Sequence, residues 1–304
     1  MRFLLVYYTG TYNTRFLTEE LSRRLEERGH GVVCAEINRS LAPVSTDGYD
    51  FVGFGYPIYG FNSPLPFNRY VAKLRFSEGQ KFFIYKNSGE TWAMNNASSR
   101  ILLRRMRRKK LRFCGEYHFV MPYNIHFPFD KAFVREILEK DRKLMEIMLA
   151  DLEEGRVKRI ESNPIYNLAA AAVSVQKIGG AVNSFFYRVD EEKCVHCLRC
   201  VRDCPEENIR FDRGRIRFSH RCDMCMRCSF YCPTNAISIG FLEGWKVNGD
   251  YRLKELSREP LPPTPYITAE SKGFYRCFIR TFEKIDSEYE SRFAKTDTRE
   301  EEEN

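Results

Sequence analysis

The sequence predicts a doubly wound, five-stranded parallel α/β sheet followed by a small α+β module. Three observations carry that expectation. Apolar runs alternate with helix-period segments through the first half of the chain, and two cysteine combs of identical spacing follow in the second half. The composition, 43% hydrophobic and 30% charged, describes a chain that can bury cores beneath a solvated surface. It excludes a disordered chain and a small stapled scaffold. At roughly 100–200 residues per domain, 304 residues imply two domains.

Phe3–Tyr8 is a continuous apolar run, expected as a buried first strand that enters a Thr/Gly/Asn turn. From Asn13 to Arg28, Phe16, Leu17, Leu21 and Leu25 recur at helical spacing, and Gly29 ends the pattern. Gly31–Ile37 and Phe51–Gly55 are the second and third strands, Pro64 to Leu74 a helix, and Lys81–Tyr85 the fourth strand. A helix from Trp92 to Arg108, a fifth strand at Phe113–Met121 and a long amphipathic helix from Asp130 to Leu152 close the block. Five strands alternating with helices fit the flavodoxin-like winding, which binds ligands beyond the carboxyl ends of its strands. Residues 1–154 are therefore expected as one domain.

Residues 155–190 read as a connector with a small-residue packing helix (Ala169–Ala172, Gly179, Gly180). Its apolar stretch Ile165–Val189 is interrupted by Asn167, Gln176, Lys177 and Asn183 and falls short of a span of ~20 residues. The N-terminal apolar run is too short for a signal-peptide core. These features predict a cytoplasmic protein without a membrane span, in which clustered cysteines mean metal rather than disulfides. Residues 241–304 are a Pro-rich and then helical, charged extension of unknown role, read as a tail wrapped on the body and frayed at Glu300–Glu303.

The cysteines carry the chemistry. Cys194-x2-Cys197-x2-Cys200-x3-Cys204-Pro205 is followed by Cys222-x2-Cys225-x2-Cys228-x3-Cys232-Pro233, each cysteine 28 residues after its counterpart. This internal duplication has the spacing of a bacterial double 4Fe–4S ferredoxin. Three thiolates on a short loop surround one face of a cubane, and the fourth reaches the other cluster. Cys194, Cys197, Cys200 and Cys232 are thus expected at one cluster; Cys222, Cys225, Cys228 and Cys204 at the other. Zinc favours paired knuckles over a triple comb with Cys-Pro. Between the combs, Ile209–Phe211 and Arg215–Phe218 flank Asp212-Arg213-Gly214 as a hairpin, which places the ferredoxin domain at 191–240.

Three strand-end loops suggest a second cofactor. Thr9-Gly10-Thr11-Tyr12-Asn13-Thr14 offers hydroxyls and backbone N–H groups at a helix start, without Lys or Arg, as suits a bound phosphate that is not transferred. Alone it could equally be an N-capped turn. Tyr56-Pro57-Ile58-Tyr59-Gly60 follows the third strand with rings that could cover a flat ligand; Asn87-Ser88-Gly89-Glu90 follows the fourth with groups for a polar ring edge. Together they point to FMN. Gly53-x-Gly55 is no nicotinamide fingerprint, because Ile58 stands where its third glycine would be.

On these residues, and on Met121-Pro122-Tyr123-Asn124, the chain resembles the fused flavodoxin-like/two-cluster 4Fe–4S ferredoxin proteins of anaerobic bacteria and archaea, over about residues 1–240. The resemblance implies FMN at the three loops and electrons passing between flavin and clusters. The chain departs from it at Tyr12, where flavodoxins usually carry glycine, and at Arg15, where an acidic residue is common.

The expected function is electron transfer between FMN and two 4Fe–4S clusters, to or from a redox partner protein such as a ferredoxin or a reductase. The alternative is a flavin-dependent reductase of a small molecule fed by the clusters, with Met121–His126 and the C-terminal extension as pocket walls and Tyr123 or His126 as proton donor. The basic run Arg100, Arg104, Arg105, Arg107, Arg108, Lys109, Lys110 and Arg112 reads as a solvated helix face or a docking patch for an acidic partner, and no nucleic-acid reader motif accompanies it. Cys34, Cys114 and Cys277 are isolated, and His196, between two ligands, reads as a loop residue.

Overall fold

The computed structural model describes residues 1–174 and 176–300, side chains of 176–178 and 294–300 excepted. The tail residues Glu301–Glu303 lie outside that range. The N-terminal half comprises β1 (Arg2–Tyr7), α1 (Asn13–Glu27), β2 (Gly31–Glu36), β3 (Phe51–Pro57), α2 (Leu65–Lys73), β4 (Lys81–Ser88), α3 (Arg100–Arg108), β5 (Arg112–Val120) and α4 (Lys131–Glu154). All strands pair in parallel in the order β2-β1-β3-β4-β5, the flavodoxin-like winding with its switch point between β1 and β3. The segment from Trp92 is a 3-10 turn over Ala93–Ser99 before α3 begins, rather than one continuous helix. Asn95, buried and bonded to Glu90 and Ser88, ties that turn down.

Strand alternation sorts the core onto two faces. Phe3, Leu5 and Tyr7 face α1 and α4; Leu4, Val6 and Tyr8 face α2 and α3. Asp130 caps α4 by accepting from the Ala132 N–H, and Gly155 at φ 71° ends it in the left-handed region. Gly53 and Gly55 have a packing reason. A Cβ at Gly53 would lie 2.6 Å from the Phe83 ring and one at Gly55 within 2.5 Å of the Tyr85 ring, so β3 needs both glycines for its neighbour's aromatics.

The connector is two helices, α5 (Pro164–Val173) and α6 (Gln176–Asn183), not one. The second half follows with β6 (Tyr187–Val189), α7 (Arg199–Arg202), β7 (Ile209–Asp212), β8 (Arg215–Phe218), α8 (Arg227–Phe230) and β9 (Ile237–Ile239). β7 and β8 form the hairpin, and β6 pairs antiparallel with β9. Tyr187–Val189, read from sequence as the end of the connector, is thus a strand of the cysteine-bearing module. The extension contributes α9 (Leu253–Leu256) and α10 (Ile279–Glu300), and Phe278, Phe282 and Ile285 enter the α4 face of the core. Among the described residues no helix is long and apolar enough to cross a membrane.

Candidate functional site

The cysteine repeat is a structural repeat as well. Left-handed backbone recurs at His196 and Met224, Leu198 and Met226, and Glu207 and Asn235, again 28 residues apart. Non-glycine residues in that region cost roughly 1–2 kcal/mol each, so they persist only where the surroundings fix them. His196 and Leu198 flank Cys197, Met224 and Met226 flank Cys225, and Glu207 and Asn235 follow Cys204 and Cys232, so that each comb curls around its own cavity. One cavity is lined by Cys194, Cys197, Cys200, Cys228 and Cys232; the other by Cys204, Cys222, Cys225 and Cys228. The carboxyl-terminal cysteine of each comb thus lies at the cavity of the opposite comb. Backbone donors address the sulfurs in matching pairs: Asn208 N–H to Cys204 Sγ at 3.3 Å and Ala236 N–H to Cys232 Sγ at 3.2 Å. Such donors stabilise thiolate charge.

Burial pushes the Cys200 and Cys222 thiols up to about 11 and Cys225 up to about 12, with neighbouring cysteines adding to the rise and Arg227 opposing it at Cys225. Cys228 is pushed well above the ordinary thiol range by burial and then by Cys225. Metal ligation therefore has to displace protons here.

The module sits directly on the strand ends of the sheet. A Cβ at Gly10 would lie 2.9 Å from the Cys225 carbonyl oxygen and 2.2 Å from Tyr59 Oη. Arg227, the residue before Cys228, donates from Nε to the Gly10 carbonyl (2.5 Å) and from Nη2 to the Thr9 carbonyl (2.7 Å). Tyr231 Oη donates to the Thr11 carbonyl at 3.0 Å, and Arg69 pairs with Glu206 at 2.7 Å. The Tyr59 hydroxyl is held protonated by burial and then by Cys225.

The loop after β1 has the character of an anion cradle. Tyr12 stands at the N-cap of α1 with φ 65°, which is why a glycine is the easier residue there, and its side chain caps nothing. Among the described residues no acceptor meets the backbone N–H groups from Gly10 to Arg15, and the buried Thr9 hydroxyl has no partner. Orphan donors at a helix start with an unpaired buried hydroxyl fit a phosphate. The Tyr12 ring is drawn out toward the second half, 4.4 Å below the Arg227 guanidinium, 4.5 Å from that of Arg15 and 5.2 Å from the Tyr231 ring.

The remaining loop residues divide by role. The Thr11 hydroxyl accepts from Asn124, the Thr14 hydroxyl accepts from Asn87, and Asn13 donates to the Pro122 carbonyl. Tyr56, expected to face a ligand, belongs to β3 and is fully buried against Phe67, so it serves the core. Ile58 N–H bonds the Asn87 carbonyl, joining the second loop to the third, while Tyr59 and Asn62 close a turn through Gly60. Ser88 donates to the Glu90 carbonyl, and the Tyr123 ring lies on Gly89 while its hydroxyl bonds Glu90. Sequence reasoning missed Arg227 and Tyr231. Their signal was only that they lie within the second comb.

The C-terminal extension lies beside these loops. Trp245 accepts the His126 N–H, Tyr251 bonds the Tyr123 carbonyl, and the Thr91 hydroxyl donates to the Cys277 carbonyl. Tyr123 and His126, the proton donors of the reductase alternative, pack among Phe127, Phe129, Phe274 and Trp245.

Sheet order and cysteine module together define an iron–sulfur electron-transfer protein in which a flavodoxin-like domain is fused to a ferredoxin-type domain. Residues 186–233 match the family model of the 4Fe-4S dicluster domain. The pyruvate synthase subunit PorD of Methanocaldococcus jannaschii is 36% identical over 67 residues, which are 21% of this chain and 78% of that protein. A ferredoxin of Methanothermococcus thermolithotrophicus is 36% identical over 55 residues, 17% of this chain and 92% of that one. Through this module the chain belongs to the 4Fe–4S dicluster ferredoxin family. Of two other curated relatives, 24% and 28% identical, it spans only 52% and 13% of the length. A flavodoxin structure from the domain Archaea aligns with 51% of this chain and 99% of its own, at 12% identity and a TM-score of 0.37. The fold assignment rests on the strand order.

Proposed function

We propose that the protein passes electrons between FMN at the strand-end loops and two 4Fe–4S clusters, to or from a redox partner protein. The observation that carries this reading is the shared wall: the Cys225 loop packs on Gly10, the second residue of the cradle. Cys194, Cys197, Cys200 and Cys232 would hold one cluster and Cys222, Cys225, Cys228 and Cys204 the other. The lining of the two cavities supports that crossing, with Cys228 bordering both. Residues 1–154 would carry the flavin, and the iron–sulfur unit would run from Tyr187 to Gly240. When bound, these groups supply reversible one- and two-electron acceptance.

The chain's own part is to bind, insulate and align. Thr9 and the free N–H groups of the cradle would take the phosphate; Tyr59 and the Asn87–Glu90 loop would border the ring. Arg227 and the Tyr59 hydroxyl are buried in the wall between the two sites, which limits the water there and suits electron passage. The aromatic packing around Tyr123 and His126 supports a carrier over a small-molecule reductase. Arg104, Arg107, Arg108 and Lys110, all exposed on and after α3, offer a basic face to an acidic partner protein. The test is anoxic purification with flavin, iron and sulfide counted on one sample. About one FMN and about eight iron per chain are expected. Eight iron with no flavin after reconstitution would overturn the flavin half of the reading.

A further inference from the structure

One buried charge stands where both cysteine cavities and the cradle meet. Arg227 is 6% exposed and lines both cavities. Its guanidinium spends its donors on carbonyls from both halves of the chain: Gly10 and Thr9 on the sheet side, and Asp203, within the first comb between Cys200 and Cys204, at 2.9 Å. One face of the ion covers the Tyr12 ring at 4.4 Å. Its nearest carboxylate is Glu36, at 3.6 Å, which is itself shared with Arg15 at 2.5 Å and with the Tyr7 hydroxyl at 3.0 Å. The ion is thus incompletely neutralised by protein and enclosed where water screens weakly. A planar fork that makes three carbonyl bonds is a task for arginine, and lysine can supply the charge but not the fork.

From this arrangement we infer that Arg227 is a positioning residue with two duties: it clamps the cradle to the iron–sulfur module, and its fixed positive charge raises the reduction potential of both clusters together. The inference rests on the two-cluster reading above. Each cluster accepts one electron from the reductant, which adds one negative charge to its cavity. Arg227 stays protonated throughout, so it favours the reduced form of each cluster by direct attraction. Because its fork also fixes the Thr9 and Gly10 carbonyls, loss of the fork loosens the cradle whatever happens to the charge.

The test compares wild type, Arg227→Lys and Arg227→Gln, each purified anoxically with iron counted before any titration. Dithionite titrations followed by EPR give the two potentials, and fluorescence quenching of added FMN gives flavin affinity. Arg227→Gln should move both potentials negative by at least a tenfold change in the reduction equilibrium, about 59 mV for one electron. Arg227→Lys should restore the potentials and leave flavin binding weakened, because charge returns without the fork. Potentials unchanged in Arg227→Gln, or moved at one cluster only, overturn the inference. If Arg227→Gln loses iron, Glu36→Gln carries the test. Removing the partner carboxylate should move both potentials positive, and no shift there overturns the inference equally. Wild type without iron would instead remove the two-cluster reading on which it rests.

Discussion

Replacing Gly10 by alanine tests the contact between the two halves with a single methyl group. The backbone at Gly10 lies outside the left-handed region, so alanine meets no conformational penalty there, only the space around it. That space is filled: the new Cβ would come within 2.2 Å of Tyr59 Oη and 2.9 Å of the Cys225 carbonyl oxygen. The tyrosine tip can swing, but the Cys225 backbone is held by its comb. Overpacking of this kind costs about 1–3 kcal/mol. Tyr59→Phe removes the nearer obstacle, and because Tyr59 Oη is buried without a partner it forfeits no hydrogen bond within the protein. In the Tyr59→Phe background the cost of Gly10→Ala should therefore fall by about 1 kcal/mol or more, while the Cys225 contact keeps it above zero. The assay is the urea midpoint of the holo-protein under argon for wild type, both single variants and the double, with iron per chain measured alongside. Strict additivity would refute the contact between Tyr59 and Gly10, and a Gly10→Ala substitution without cost in the Tyr59→Phe background would refute the packing of the Cys225 loop on the cradle.

Further predictions come from the buried network and the combs. Lys86 and Glu116, 0% and 1% exposed, pair at 2.6 Å between β4 and β5; Lys86→Met should cost about 3–5 kcal/mol and the Lys86→Met/Glu116→Leu pair much less, measured by urea unfolding. Burial, and then the Lys86 charge, pushes His118 down to about 3. A base held neutral in this way contributes stability above its ordinary value of 6.5, and that contribution is lost as pH falls from 6.5 toward 3. By about pH 5 the loss should reach about 2 kcal/mol, and His118→Gln should shrink it. Cys225→Ser should lower iron from about eight to about four per chain while leaving the Cys194 comb loaded. Because burial raises the Cys225 and Cys228 thiols above their ordinary range, cluster assembly into the apo-protein should slow as pH falls, read as the rate at which cluster absorbance grows.

What the sequence made legible follows from how local each signal is. The combs are short-range, and their 28-residue offset survives as paired left-handed turns. β1, β3 and β4 are buried on both faces, so they appear as apolar runs, while the edge strand β2 is largely exposed, and the helices carry clear periodicity. Tyr56 was misread because an aromatic at a strand end looks the same whether its ring faces the loop or the core; only the pairing of β3 through Pro57 decides it. β6 escaped notice because three residues pair with β9 across nearly the whole module. The extension was legible as a helical tail wrapped on the body, but not its place, because Phe278, Phe282 and Ile285 pack on α4 far away in sequence. Arg227 could not be read at all. Its meaning lies in carbonyls of Thr9 and Gly10 more than 200 positions away.

If, as proposed, the strand-end loops hold FMN and the cysteine module two clusters, the two form one electron path within a single chain. The most direct measurement is a laser-flash experiment on the fully loaded protein, with the flavin photoreduced and cluster absorbance followed as protein concentration is varied. On an intramolecular path the clusters bleach as the flavin signal decays, in a single phase whose rate is independent of concentration. A rate that rises in proportion to protein concentration, or a flavin that decays with no change at the clusters, would contradict it.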